Sequence, residues 1–274
     1  MRSPGASRRC REFAPSGGWG AGVSAFAGKV VVVTGGGAGI GFAIAQAFAR
    51  EGANLAIAGR TTETLTRSAA AIREAMSREV LTIAADVARP ADCERIVAAT
   101  VERFGGLDAL INNAAHFALL PLILADAAEF SRVFAVNVGG PLALARAFAQ
   151  WVIALGRKGV IVNVSSIAGA RPAPGCGLYS ASKAALESLT RSMALEWTGQ
   201  GVRVNSVAPG HVATEGVLED FRTGRLDEAA LVSGIPAGRI ADGNDVAEAV
   251  LFLASDRARH IVGQVLTVDG GEGF

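Results

Sequence analysis

Tyrosine is almost missing from this chain. Among 274 residues there is one, Tyr179, and aromatic residues as a whole make up 6%. So thin an aromatic supply argues against a base-stacking platform for single-stranded nucleic acid. Charge is equally unhelpful to a polyanion partner: the formal net charge is +1, which gives no long-range pull toward nucleic acid or an anionic membrane. Cysteine is scarce, odd in number and widely spaced (Cys10, Cys93, Cys176), so the sequence predicts neither a disulfide framework nor a metal cluster and fits a reducing cytoplasm. The three histidines, His116, His211 and His260, show no ligand spacing, and no metal is expected.

Long hydrophobic runs are present only in disguise. Residues 30–49 carry no charge and are long enough to cross a bilayer, but five glycines in the middle (35, 36, 37, 39 and 41) break any single helix. Residues 109–125 are interrupted by Asn112, Asn113 and Pro121. Neither is read as a membrane span. Residues 1–27 contain Arg2, Arg8, Arg9 and Arg11 among prolines, glycines and serines, without a following apolar stretch, and are read as a disordered N-terminal extension.

What is present is alternation. Half of the residues are hydrophobic, enough to bury a large core. β-rich runs at 30–34, 54–58, 80–85, 109–111, 160–165, 202–207 and 265–268 alternate with helical patterns near 40–51, 62–77, 91–104, 126–150, 178–198 and 243–255. That order predicts an α/β fold over 28–274: one Rossmann-like, doubly wound parallel sheet of about seven strands with helices on both faces. Residues 209–240 show no clear element pattern and are expected to cover the ligand crevice.

Between the first strand and the first helix lies Thr34-Gly35-Gly36-Gly37-Ala38-Gly39-Ile40-Gly41. Glycines there permit a tight turn and let backbone N–H groups approach a pyrophosphate at the positive helix end. Gly35, Gly37, Gly39, Ile40 and Gly41 are therefore candidate dinucleotide contacts. An NAD site would place an acid at the end of the second strand, whereas this chain has Ala58-Gly59-Arg60. A guanidinium can hold a 2′-phosphate by bidentate contacts, so Arg60 favours NADP(H), with NAD(H) left open because Ala38 adds no charge. Asp86-Val87, after the third strand, is placed equally well to reach the adenine edge and to satisfy local turn N–H groups. Asn113, after the fourth, is placed equally well to bridge strands and to meet the cofactor.

Lys183 follows Tyr179 by four positions, which puts both on one helix face, and Ser165-Ser166 precedes them. A free phenol near pKa 10 is a poor base at neutral pH, and bringing it to about 7 takes about 4 kcal/mol. One ammonium about 4 Å away, at an effective dielectric of about 20, supplies about 4 kcal/mol. Lys183 is thus expected to lower the pKa of Tyr179. Neighbouring strand residues face opposite ways, so only one of the two serines can face the site. Asn137 lies four residues before Pro141, whose missing N–H frees the Asn137 carbonyl to hold a water, with Gly139-Gly140 permitting a kink.

Together these residues, with Pro209-Gly210, Val212 and Thr214 after the sixth strand and Val268-Asp269-Gly270-Gly271 near the end, make the chain resemble the single-domain branch of the short-chain dehydrogenase/reductase family. The resemblance covers about residues 28–274 and departs from the family at Ala38 and Ala115. It implies an NAD(P)-dependent oxidoreductase acting on carbonyls and alcohols. Tyr179 would be the acid/base and Ser166, thirteen residues before it, would bind the substrate oxygen. Lys183 would bind the nicotinamide ribose, and Asn137 would hold a water in a proton relay. Pro209, Gly210, Val212 and Thr214 would border the nicotinamide. A homotetramer or homodimer is implied as well. The candidate substrate walls, His116 to Pro121, Ile167 to Cys176 and 211–240, are mostly apolar and predict a medium-sized, largely apolar carbonyl such as a 3-oxoacyl, steroid-like or polyketide-like one. The rival readings are an NADP-binding redox sensor, which would have lost catalytic groups, and a reductase of acyl-thioester C=C bonds, which would usually depart from the Tyr-x-x-x-Lys spacing.

Overall fold

The computed structural model describes residues 24–273. Seven strands are present: β1 (Val30–Thr34), β2 (Asn54–Gly59), β3 (Val80–Ala84), β4 (Ala109–Asn112), β5 (Gly159–Val164), β6 (Val202–Pro209) and β7 (Val265–Val268). They form one all-parallel sheet in the order β3-β2-β1-β4-β5-β6-β7. The direction of winding reverses between β1 and β4, which opens a crevice at the carboxyl ends of those strands, the place where ligands bind in sheets of this kind.

Helices α1 (Gly39–Arg50), α2 (Thr62–Met76) and α9 (Gly243–Ala254) cover one face, and α3 (Pro90–Phe104), α5 (Gly140–Ala154) and α6 (Gly177–Trp197) cover the other. Strand periodicity drives this two-sided burial. Val31 and Val33 of β1 pack with Ile44, Phe48 and Val246, while Val30 and Val32 pack with Ile96, Leu144 and Phe148.

The structure differs from the sequence reading in three places. The helical pattern expected over 126–150 is divided into α4 (Ala127–Phe134), a π-helical turn (Ala135–Gly139) and α5, with Pro141 in the first turn of α5. Proline cannot donate into the α-ladder, and a wider turn absorbs the loss where a kink was expected. The segment 209–240 holds two short helices, α7 (Glu215–Arg222) and α8 (Glu228–Ser233), capped by the side chains of Thr214 and Asp227. Neither contains a buried residue, so neither leaves an apolar period in the sequence.

Of the extension expected over 1–27, residues 1–23 lie outside the described residues, and residues 24–27 are part of the domain. Phe26 is 6% exposed and meets Phe48 edge to face, ring centroids 4.8 Å apart, and its N–H donates to the Glu51 carbonyl. Burial of one ring is enough to fix the short segment before β1. Phe26→Ala is expected to lower the unfolding free energy by about 3 kcal/mol in a denaturant titration. An unchanged midpoint would mean that these residues are not part of the cooperative unit.

Candidate active site

The turn between β1 and α1 is built for an anion. Gly35 has φ +67°, a conformation that disfavours side chains, and a Cβ there would lie 2.8 Å from Asn113 Nδ2. A Cβ on Gly41 would collide with the Gly35 carbonyl oxygen and with Asn113 Nδ2. Ala38, at the N-cap of α1, makes no side-chain cap, and no acid stands in the first turn. The positive end of a twelve-residue helix is therefore left without a side-chain partner or a neutralising charge. Beside it lies a cleft of about 340 Å³ lined by Gly35, Ile40, Gly41, Arg60, Asp86, Val87, Asn113 and Thr214, among others. Gly37 and Gly39 line the adjoining space between α1 and α7, where Val212 and Thr214 form the opposite wall. Pro209 and Gly210 line neither: they close the end of β6, where the Gly210 N–H donates to the Val268 carbonyl at 3.0 Å. The residues present fit a dinucleotide.

Asparagines tie this cradle to the strands. The Thr34 hydroxyl accepts from the Asn113 and Ala114 N–H groups at 3.0 and 3.1 Å, and Asn113 Nδ2 donates to the Thr34 carbonyl at 2.9 Å. Asn113 thus bridges β1 and β4 and lines the cleft as well. Asp86 also has two placements at once: its Oδ1 accepts from the Ala88 N–H at 3.0 Å, a local turn bond, and it lines the cleft.

The four predicted catalytic residues come from the turn after β5, from α6 and from the π turn. Ser166 follows β5 in extended conformation and its Oγ accepts from the Ala168 N–H at 3.2 Å. It stands near enough to Tyr179 of α6 for its hydroxyl to lower the phenol's pKa, against the larger effect of burial. Ser165 faces away, donating to Glu187 Oε1 at 2.9 Å, so the strand alternation separates the two serines. Asn137 is fully buried. Its Oδ1 accepts from the His116 N–H at 2.7 Å, and its Nδ2 donates to the His116 carbonyl and to Ser182 Oγ, both at 2.9 Å. With the carboxamide committed in this way, Asn137 offers the site its backbone and not its side chain.

Lys183 is 2% exposed, and its ammonium donates to the Val164 carbonyl at 2.8 Å. It stands 5.5 Å from the centroid of the Tyr179 ring. Burial pulls the lysine down to about 8, against the opposing pull of the Glu187 carboxylate. Tyr179 contradicts the simple charge argument. Burial pushes its phenol above the usual 10, only partly offset by the hydrogen bond with Ser166. The reason is geometric: the ammonium turns toward Val164, and the desolvation of the ring outweighs the remaining attraction. A neutral phenol beside a hydroxyl is suited to donate a proton to an oxygen placed between them. Sequence reasoning did not single out Ser182 or Glu187, and it took Thr34 only as the start of the glycine turn and Phe117 only as part of the wall from His116 to Pro121. Of these, only Glu187 carries a spacing signal, one helical turn beyond Lys183.

Residues 35–272 match a family model described as enoyl-(acyl carrier protein) reductase. A sorbitol dehydrogenase of Cereibacter sphaeroides is 40% identical over 252 residues, spanning 89% of this chain and 97% of that protein. A galactitol 2-dehydrogenase of Agrobacterium fabrum is 39% identical, spanning 89% and 96%. The chain belongs to the short-chain dehydrogenase/reductase family. Levodione reductase superposes on this short-chain dehydrogenase/reductase with a TM-score of 0.84 at 34% identity, covering 90% of this chain and 98% of that one. The 3-ketoacyl-(acyl-carrier-protein) reductase of Brucella melitensis, solved with NADH, gives 0.81 at 32%, covering 90% and 99%. The protein is an oxidoreductase of the family's nicotinamide-dependent kind. Among its described residues no helix is long and apolar enough to cross a membrane, and no group of side chains is placed to hold a metal ion.

Gly41→Ala should weaken dinucleotide binding by about 2 kcal/mol or more, since the added Cβ displaces Gly35 and Asn113 together. Calorimetric titration with NADPH and NADH measures this, with circular dichroism as the check on folding. Unaltered affinity would contradict the cradle.

Proposed function

We propose that the protein reduces a carbonyl to an alcohol with NADP(H), and runs the reverse oxidation, through Ser166, Tyr179, Lys183 and Asn137. The observation that carries the reading is the placement of Ser166, just after β5, beside a half-buried Tyr179 phenol whose pKa is raised, at the same sheet edge as the dinucleotide cleft. A reduced nicotinamide, when bound, supplies the hydride. Ser166 and Tyr179 hydrogen-bond the substrate oxygen, and Tyr179 gives it the proton as the carbon gains the hydride. The Lys183 ammonium holds the cofactor ribose and favours the phenolate left behind, which is reprotonated through water at the Asn137 carbonyl. In oxidation the same groups accept the proton.

Arg60 supports NADP(H) over NAD(H): it lines the cleft directly after β2, where no acid stands. Pro209, Gly210, Val212 and Thr214 border the nicotinamide end in this reading, and Asp86 and Val87 the adenine end. A homotetramer or homodimer in the cytoplasm completes it, supported by exposed Leu142, Leu195 and Leu266 on α5, α6 and β7.

The substrate class follows from the walls. Phe117 packs edge to face on Tyr179 with centroids 5.0 Å apart and remains 58% exposed. Leu119 and Leu122 lean on Gly175 and Gly177, just before the catalytic tyrosine. These favour a medium-sized, largely apolar carbonyl. A second reading, a polyol, is favoured by the names of the sorbitol and galactitol dehydrogenases and by a polar pair between that loop and α4, His116 Nε2 and Glu129 Oε1 at 2.8 Å. Reduction of a C=C bond, which the matched model's description favours, fits less well with Tyr179 and Lys183 at the spacing of carbonyl reductases.

A panel of cyclic and acyl ketones, polyols and an enoyl thioester with NADPH and NADH, followed at the nicotinamide absorbance band, separates these readings. Turnover of ketones with NADPH is expected, and turnover of polyols alone or of the enoyl thioester alone would overturn the substrate reading. Arg60→Ala should raise KM for NADPH about tenfold or more and leave KM for NADH unchanged. An equal change in both would remove Arg60 from the 2′-phosphate.

A further inference from the structure

The proposed reaction centre has a buried carboxylate beside it that the chemistry above does not use. Glu187 is 9% exposed and sits one helical turn beyond Lys183 on α6. Lys183 and Glu187 grip consecutive residues at the end of β5. The lysine ammonium donates to the Val164 carbonyl at 2.8 Å, and Glu187 Oε1 accepts from the Ser165 hydroxyl at 2.9 Å. Past Ser166, the chain turns through the short 3₁₀ segment Ile167–Gly169, and a Cβ on Gly169 would lie 3.0 Å from the same Glu187 Oε1. The carboxylate therefore bonds the residue before Ser166 and lies close to the chain that follows it.

We propose that Glu187 is a positioning residue of the reaction centre: its carboxylate brackets Ser166 from both sides and balances the charge of the buried Lys183 ammonium. The proposal rests on the reading that Ser166, Tyr179 and Lys183 carry the reaction. Two opposite charges buried one turn apart are each costly alone and compensate each other. Burial already draws the lysine down to about 8, and among the described residues Glu187 is the one group acting on it in the other direction.

Neighbouring ionisable groups do not take over this role. Val164 to Gly169 contain none, and Tyr179 and Cys176 are held neutral by burial at ordinary pH. Arg203 of β6 is spent on the carbonyls of Leu253, Ala254 and Ser255, Glu129 of α4 on His116, and Arg146 of α5 on Glu94. Arg132 of α4 and Arg191 and Glu196 of α6 are exposed.

The sign follows directly. A lysine whose charged form is needed loses activity as pH rises through its pKa, so removing the carboxylate moves that loss to lower pH. Glu187→Gln keeps an oxygen for the Ser165 hydroxyl and removes only the charge. Ser165→Ala keeps the charge and removes the bond. The pH profile of kcat/KM for ketone reduction, at saturating NADPH, reads the difference. The alkaline fall is expected near the lysine's value in the wild type and about one pH unit lower in E187Q. S165A should leave the fall in place and lower kcat about tenfold through a misplaced Ser166. An E187Q profile that superposes on the wild type, or an S165A profile displaced as far as that of E187Q, overturns the proposal. Should E187Q fail to fold, Glu187→Asp is read instead: charge kept and reach shortened, it should lower kcat with the fall in place, and a displaced fall or an unchanged kcat overturns the bracket. Absence of ketone turnover in the wild type would be the failure of the underlying reading, whereas an ordinary wild-type profile unmoved by E187Q is the failure of this proposal alone.

Discussion

The site is organised around a charge that the fold buries. Lys183 would keep its ammonium in water if it were a surface residue of α6, but only 2% of it is exposed and its ammonium donates to the Val164 carbonyl. A buried ammonium must be satisfied, so α6 is held against the carboxyl end of β5 at one register. That register places Tyr179, one turn earlier, opposite Ser166, the second residue after β5. The same burial raises the phenol and lowers the lysine, leaving a neutral proton donor beside a cation held close to its titration range.

A network of amides extends this constraint across the sheet edge. Asn113 fastens the glycine turn to β4, and Asn112 Nδ2 donates to Asn163 Oδ1 at 2.9 Å, joining β4 to β5. Asn163 Nδ2 donates in turn to Thr190 Oγ1 of α6 at 2.8 Å. On the other side Asn137 holds the loop at His116 and bonds Ser182, whose hydroxyl donates to the Tyr179 carbonyl at 2.7 Å. Buried polar networks with nearly all members paired are rigid. Here they make one unit of the cradle for the dinucleotide and the group that would transfer the proton, two parts that lie on opposite sides of the β1–β4 crevice.

Much of this was legible in the sequence because it rests on local periodicity. Every strand stood within about two residues of its observed bounds, since a two-sided parallel sheet writes continuous apolar runs. Strand alternation allowed only one of Ser165 and Ser166 to face the site, and the resemblance to the family, through its thirteen-residue offset to Tyr179, chose Ser166. Other features depended on three-dimensional context. α7 and α8 bury nothing and so have no pattern, Phe26 is core only because Phe48 is across from it, and the π turn before α5 shows in the sequence only as an awkwardly placed Pro141. The pKa of Tyr179 was misjudged because distance and charge were counted and desolvation was not. Asn112, Asn113 and Asn137 could be found by position, but their partners could not.

The central claim is that the Tyr179 phenol transfers the proton. Its most direct test is the rate of NADPH oxidation with a ketone substrate by Tyr179→Phe, alongside calorimetric NADPH binding by the same variant. The account predicts that the rate falls by about 10² to 10⁴ while NADPH affinity stays that of the wild type. A variant that binds NADPH normally and turns over within about twofold of the wild type would contradict it.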